Sequence, residues 1–268
     1  MHCKPPCHWS RSLPNELGIS MNVYWLEQTD ADMPVTNDWL SGWEATSLSR
    51  LRFAKRRSDW RLGRWTAKQA VALLLNMPAR RDALAGIEIR QASSGAPEVF
   101  FASQPSPVTI SLSHREGAAV CAVAPSSIAL GCDLEVIEPR SDTFVTDYFT
   151  PEEQALVARA SARDRSQLLA LLWSAKESAL KALHTGLRLD TRCVVVKLVG
   201  NPHSCGEKEV CPSENWCPLQ VSYNHDEVFH GWWRQNGNRL QTLVANPRPS
   251  LPISLRTDNL SLPTENAA

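Results

Sequence analysis

The chain has no excess of charge, no long apolar run and no spaced cysteine knuckle, and each lack removes a class of function. Lysine plus arginine equals aspartate plus glutamate, at 28 each in 268 residues. No global field therefore draws it to nucleic acid or membrane, and any anion it binds is held by a local cluster. The longest apolar runs, such as Val71–Leu75 and Cys193–Val196, are far too short to cross a bilayer. Residues 1–20 lack the apolar core of a signal peptide, so the cytoplasm is the expected compartment. The eight cysteines include no C-x2-C pair; Cys205, Cys211 and Cys217 near His203, or Cys3, Cys7 and His8, make poor zinc sets. With 43% hydrophobic residues a chain of this length buries a core without a disulfide framework. Cys121, Cys132 and Cys193 then read as small buried hydrophobes in strand-like runs. No repeat is visible residue by residue.

What is present is a mixed α/β pattern. Residues 1–20 show no periodicity and read as an extension, poorly ordered; residues 247–268, rich in Pro, Ser, Thr and Asn, read as a disordered tail. Between them, a strand opens at Met21, and Ser58 to Asn76 is an amphipathic helix that Ser58 can cap and Pro78 stops. Val108–Leu112, Ala118–Ala124 and Ile128–Val136 read as strands. Thr150-Pro-Glu-Glu153 is a helix start with a capping box, and a long helix runs from Arg163 or Asp164 to His184, with Gly186 at its C′ position. Later strands are expected at Cys193–Val199, Leu219–Tyr223, Val228–Trp233 and Leu240–Ala245, and a loop at 200–218. Similar helix-plus-strand blocks lie at 21–125 and 126–246, which suggests two lobes.

Four stretches carry chemistry. In Leu130-Gly-Cys-Asp-Leu-Glu135, strand alternation puts Asp133 and Glu135 on one face, and Gly131 admits a close backbone or ligand. Two such carboxylates are an exposed edge or the seat of a cation; oxygen ligands of this kind suit magnesium, which takes further ligands from phosphate. In Trp173-Ser-Ala-Lys-Glu-Ser-Ala-Leu-Lys181, Glu177 and Lys181 are neighbours one turn apart on a helix that is otherwise core-like, and Lys176, Glu177 and Lys181 share a polar window fit for a ligand. Ser111-Leu-Ser-His114 ends a strand, where hydroxyl, imidazole and backbone N–H groups can meet a phosphate; no G-x-S-x-G elbow surrounds it. Arg57, Arg61, Arg64 and Lys68 recur at i, i+4, i+7 and i+11, one stripe that would clamp an anion.

In their order and spacing these elements, with Gly63-Arg64 and Gly95-Ala-Pro97, resemble the Sfp-type 4′-phosphopantetheinyl transferases over roughly residues 21 to 245. The resemblance implies two similar α/β lobes related by a pseudo-two-fold, with coenzyme A between them. It implies magnesium on Asp133, Glu135 and Glu177, and Ser113 and His114 at the coenzyme A phosphates. Lys181 would lie over the pyrophosphate, and Arg57 and Arg61 would be candidates for the 3′-phosphate end. It implies transfer of the phosphopantetheine arm to a serine of an apo acyl, aryl or peptidyl carrier protein, with Glu177 and Lys181 catalytic, in a monomer. The chain departs from the family in Ala96, where a lysine is common, and in Cys132, where a branched aliphatic is usual. Two rival readings use the same residues: another magnesium-dependent enzyme that cleaves a nucleotide pyrophosphate with water, and a non-catalytic coenzyme A-binding module.

Overall fold

In a computed structural model, residues 21–78, 80–199, 216–224 and 226–255 are described here; the expected N-terminal extension, Cys205 and Cys211 lie outside them. The first half runs β1 (Tyr24–Thr29), α1 (Gly42–Ser49), α2 (Ala54–Leu74), α3 (Arg81–Ala85), β2 (Ile87–Gln91), β3 (Pro97–Phe101), β4 (Gln104–Pro105), β5 (Val108–Arg115) and β6 (Ala118–Pro125). The second runs β7 (Ala129–Val136), α4 (Asp142–Tyr148), α5 (Pro151–Arg159), α6 (Arg165–Ala182), β8 (Val194–Leu198), β9 (Cys217–Tyr223), β10 (Glu227–Asn236), β11 (Arg239–Asn246) and β12 (Ile253–Ser254).

The strands form an α+β fold with sheets ordered β12-β1-β6-β5, β7-β11-β10-β9-β8 and β2-β3-β4. Alternation along the strands sorts the core into layers. On β6, Cys121 and Val123 face α2, with Ala67, Ala70 and Val71. Its Ala118, Val120, Ala122 and Ala124 meet Leu130, Cys132 and Leu134 of β7 between the two larger sheets. The far side of the second sheet is covered by α6, through Leu169, Leu172, Ala175 and Ala179. The order is helix, sheet, sheet, helix, and the edge strands β5 and β7 meet at a seam where Cys132 N donates to Ser111 Oγ (2.9 Å).

One buried polar cluster occurs twice. Ser41 and Glu44 form a capping box on α1, and Glu44 Oε1 accepts from Ile89 N (3.1 Å). Lys68, on α2, pairs with Glu44 and donates to the carbonyls of Trp39 (2.9 Å) and Leu84 (3.1 Å). In the second half Thr150 and Glu153 box α5 as expected, and Glu153 Oε1 accepts from Val196 N (3.0 Å). Lys176, on α6, pairs with Glu153 (2.8 Å) and donates to the carbonyls of Thr191 (2.9 Å) and Val194. Around the lysines, Trp65-Thr-Ala-Lys68 matches Trp173-Ser-Ala-Lys176, a short repeat that the sequence alone does not single out. The sheets are unequal, however: the first half supplies three strands of a four-stranded sheet, whose edge strand β12 comes from the second half, and a separate three-stranded sheet, while the second half forms a five-stranded sheet. The strand layout does not by itself make the halves copies.

Three sequence expectations are corrected. Helix α2 starts a turn before Ser58, at Ala54 behind Phe53, with no side-chain cap; the good helix formers Ala54, Lys55, Arg56 and Arg57 carry it outward. Helix α6 ends in a Schellman motif with His184, at φ 55°, in the C′ place given to Gly186: Thr185 N bonds Leu180 O (3.1 Å) and His184 N bonds Lys181 O (3.0 Å). The tail is ordered to Leu255, because β1 leaves an open sheet edge: Ile253 N bonds Val23 O (2.9 Å), Leu255 N bonds Trp25 O (2.7 Å), and Leu251 packs between the sheets. Residues 256–268 lie outside the described residues. Cys121 and Cys132 are buried as expected; Cys193 is only half-buried.

Removing one partner of a buried pair leaves an uncompensated charge in the core. Lys176→Met is expected to lower unfolding stability by about 3–5 kcal/mol, whereas Lys55→Ala, at an exposed pair with Asp59, costs less than about 1 kcal/mol. Urea denaturation compares them, and equal midpoints would refute the strut role of Lys176.

Candidate active site

The site is built on β7 and α6, and glycine decides how near they come. A Cβ on Gly131 would lie 1.7 Å from Ser178 O and 2.9 Å from Ala182 N. No side chain fits there, so the helix lies directly on the strand. Ser174 and Ser178 fasten it to β11 through Thr242 Oγ1 (2.9 and 2.7 Å). Asp133 and Glu135 share the face of Gly131, so the same contact sets Glu177 and Lys181 over them. The room the sequence reserves at Gly131 is filled by backbone.

Lys181 Nζ donates to Asp133 Oδ1 (2.7 Å) and Cys132 O (3.0 Å), and Ser113 Oγ donates to the same Oδ1 (2.8 Å). Asp133 Oδ2 is buried with no hydrogen-bond partner. Glu135 Oε2 takes Arg140 (3.2 Å), which also holds Glu138 (3.1 Å), and Arg115 pairs with Glu138 (2.9 Å). Burial, and then the neighbouring Asp133 and Glu135 charges, push Glu177 up to about 7 against the pull of Lys181. Burial alone would lower Lys181, but Asp133 and Glu177 outweigh it and hold the ammonium above its usual range. Burial and Asp133 likewise raise Glu135.

Six residues picked from the sequence thus gather here: Asp133, Glu135, Glu177, Lys181, Ser113 and, at the margin, His114. The expected three-carboxylate seat is not closed, however. Among the described residues no three His, Cys, Asp or Glu side chains stand together as a metal-holding group, because Asp133 is drawn to Lys181 and Glu135 to Arg140. The orphaned Asp133 Oδ2 and an all-oxygen donor set are what a hard divalent cation would use.

His114 joins this acid seat to a groove of about 600 Å³ lined by Phe53, Lys55, Arg56, Trp60, Arg64 and Arg90. Burial lowers the imidazole; Asp59 opposes this, and Lys181, Lys55 and Arg64 add to it. Gly95 and Pro97 form part of the rim, and Arg188 of the other half donates to Ser94 O beside them.

The basic stripe is the main correction. Arg61 donates to the carbonyls of Pro34 (2.7 Å), Val35 (3.0 Å) and Thr36 (3.4 Å). Arg57 reaches only Leu51 O (3.5 Å), and Lys68 is in the core. Neither Arg57 nor Arg61 lines the groove. The groove takes the adjoining face of α2, with Arg56, Trp60, Gly63 and Arg64 at i, i+4, i+7 and i+8. A signal was there: Trp60 lies under Arg64, 4.8 Å from ring centroid to guanidinium, and aromatics interleaved with cations mark that face. Lys176, grouped with Glu177 in the expected polar window, is likewise a core strut, and Trp173 packs edge-on against Phe144 (5.1 Å) and Tyr148 (5.0 Å).

Residues 129–216 match the 4′-phosphopantetheinyl transferase superfamily. The matched segment contains all three acids and Lys181; Ser113, His114 and the groove on α2 lie before it. The chain is also similar to the Helicobacter pylori holo-[acyl-carrier-protein] synthase, whose structure holds coenzyme A. Identity is 18% over 39% of this chain and 99% of the other, and the TM-score is 0.27, too low to transfer geometry. No curated protein matches the chain.

Crowding at Glu177 has a thermodynamic sign. Its folded pKa of about 7 lies above the ordinary 4.5, so the folded state holds the extra proton and stability from this group falls as pH rises from 4.5 through 7. Glu177→Gln is expected to be more stable than the parent at pH 8 in chelator, by up to about 3 kcal/mol. The gap should narrow as pH drops below 7. Thermal melts that coincide at pH 8 would contradict the crowding.

Proposed function

We propose that the chain is a magnesium-dependent 4′-phosphopantetheinyl transferase of the Sfp type, acting on coenzyme A and an apo carrier protein. The observation that carries this reading is the meeting of Asp133, Glu177, Lys181 and Ser113 under the Gly131 contact, opening past His114 into a cationic groove. A groove with Lys55, Arg56 and Arg64 suits the phosphorylated adenosine end of coenzyme A, and Phe53 and Trp60 offer ring faces to a base. Its inner end, at His114 on the side facing the charge of Lys181, suits the pyrophosphate.

In the reaction the serine oxygen of the carrier forms a bond to the β-phosphorus, and the bond from that phosphorus to the oxygen of adenosine 3′,5′-bisphosphate breaks. Glu177, titrating near neutrality, takes the serine proton. Lys181, held charged by Asp133, sits where negative charge grows on the pyrophosphate oxygens. Ser113 fixes Asp133 Oδ1 and so leaves Oδ2 aimed elsewhere. Asp133, with Glu177 and Glu135, would hold magnesium, which when bound offsets diphosphate charge.

We also read the halves as two similar lobes, on the strength of the duplicated Glu44–Lys68 and Glu153–Lys176 clusters, with the cleft between them. Both walls of the cleft come from one chain, which supports a monomer. No described helix is long and apolar enough to cross a membrane; a cytoplasmic setting is part of the proposal.

Purified protein, coenzyme A, magnesium and a panel of apo carriers, read by intact mass, test the reaction. The expected result is a carrier heavier by one phosphopantetheine; cleavage of coenzyme A without carrier modification would favour the hydrolytic rival, and binding without turnover a silent module. Asp133→Ala and Lys181→Met are each expected to cost at least about a hundredfold in rate. Arg56→Ala and Arg64→Ala should mainly raise KM for coenzyme A, and Arg57→Ala should leave it unchanged.

A further inference from the structure

Among the described residues, Arg140 pairs directly with an acid of the site from beside the cleft, and its own surroundings are packed. Its guanidinium lies 5.1 Å from the centroid of Phe144, and that ring packs on Trp173 and Phe149. Its carbonyl is held by Arg165 Nη1 (3.2 Å), itself paired with Asp142 (2.6 Å). The side chain reaches two carboxylates, the buried Glu135 (3.2 Å) and the more exposed Glu138 (3.1 Å), the second already shared with Arg115 (2.9 Å). Arg140 thus has a second acceptor that it keeps if Glu135 turns away.

We propose that Arg140 is a positioning residue that sets how tightly the site takes a divalent cation, by holding Glu135 until an ion competes for it. The inference rests on the magnesium reading above. A carboxylate paired with a guanidinium is a poorer donor, and the guanidinium repels an incoming cation at short range. Glu138 makes the exchange cheap, because Arg140 does not lose its only partner. The same arrangement explains why Glu135 does not join Asp133 and Glu177 as a closed donor group: its charge is spent on Arg140. An ion brought in with the negative diphosphate of the substrate overcomes this pairing more easily than an ion alone, so Arg140 favours joint entry of metal and coenzyme A.

Manganese binding by electron paramagnetic resonance, which reads free Mn2+ without any turnover, tests this on the full chain with and without coenzyme A. Arg140→Met is expected to tighten Mn2+ binding without coenzyme A by about tenfold, the scale on which groups bonded to ligating side chains act. Glu138→Gln leaves only a neutral amide oxygen as the alternative acceptor, favours Arg140 staying on Glu135 and is expected to weaken binding. The two variants shift affinity in opposite directions, which a general loss of packing would not do. Unchanged or weaker binding in folded Arg140→Met overturns the proposal and leaves the magnesium reading standing. Failure of the parent protein to bind Mn2+ even with coenzyme A overturns both.

Discussion

Helix α6 can lie on strand β7 only because residue 131 has no side chain. A single methyl group there would collide with the backbone of Ser178, and the helix would have to rise off the sheet. The distance from Lys181 to Asp133, the crowding of Glu177 and the orphaned oxygen of Asp133 all follow from that contact. The seam with β5 completes it: Ser111 and Ser113 tie the first sheet to β7 at Cys132 and Asp133. Residues far apart in the chain are therefore brought together at one place.

Holding three acids near one another costs stability, and the fold offsets that cost elsewhere. The buried Lys176–Glu153 pair fixes the rotation of α6 one residue before Glu177, and Lys68–Glu44 does the same for α2 beside the groove. These lysines donate to backbone carbonyls in the core as well as to the glutamates, so each pair serves as a satisfied polar network rather than an isolated ion pair. Aromatic rings close the other side, with Trp173, Phe144 and Tyr148 packed edge to face behind the acids. The buried pairs and rings lie behind the site, and the more exposed Arg115, Glu138 and Arg140 lie at its edge.

Much of the site was legible because it is written in short-range periodicity. A period of two put Asp133 and Glu135 on the face of Gly131, a period near four put Lys181 beside Glu177, and the Thr150–Glu153 capping box is as read. What escaped depends on contacts distant in sequence. Arg57, Arg61, Arg64 and Lys68 form a true helical stripe, but which way a stripe faces is set by the packing of α2. There the loop at Pro34–Thr36 takes Arg61 and Glu44 takes Lys68. Lys176 looked like part of a ligand window because sequence cannot show that Glu153 comes to meet it. The twin clusters escaped for a similar reason: only the spatial match of Glu44 with Glu153 makes two four-residue words stand out. The tail was misjudged because its composition is polar, while its ordering depends on the free edge of β1.

The pKa of Glu177 measures the convergence of the acids most directly, by carbon-13 NMR of its carboxyl in chelator. A midpoint near 7 that falls in Asp133→Asn is the predicted result, since the Asp133 charge is the largest cause after burial. A midpoint at the ordinary 4.5 in the parent protein, unmoved by that substitution, would mean that α6 does not bring Glu177 over the acids of β7.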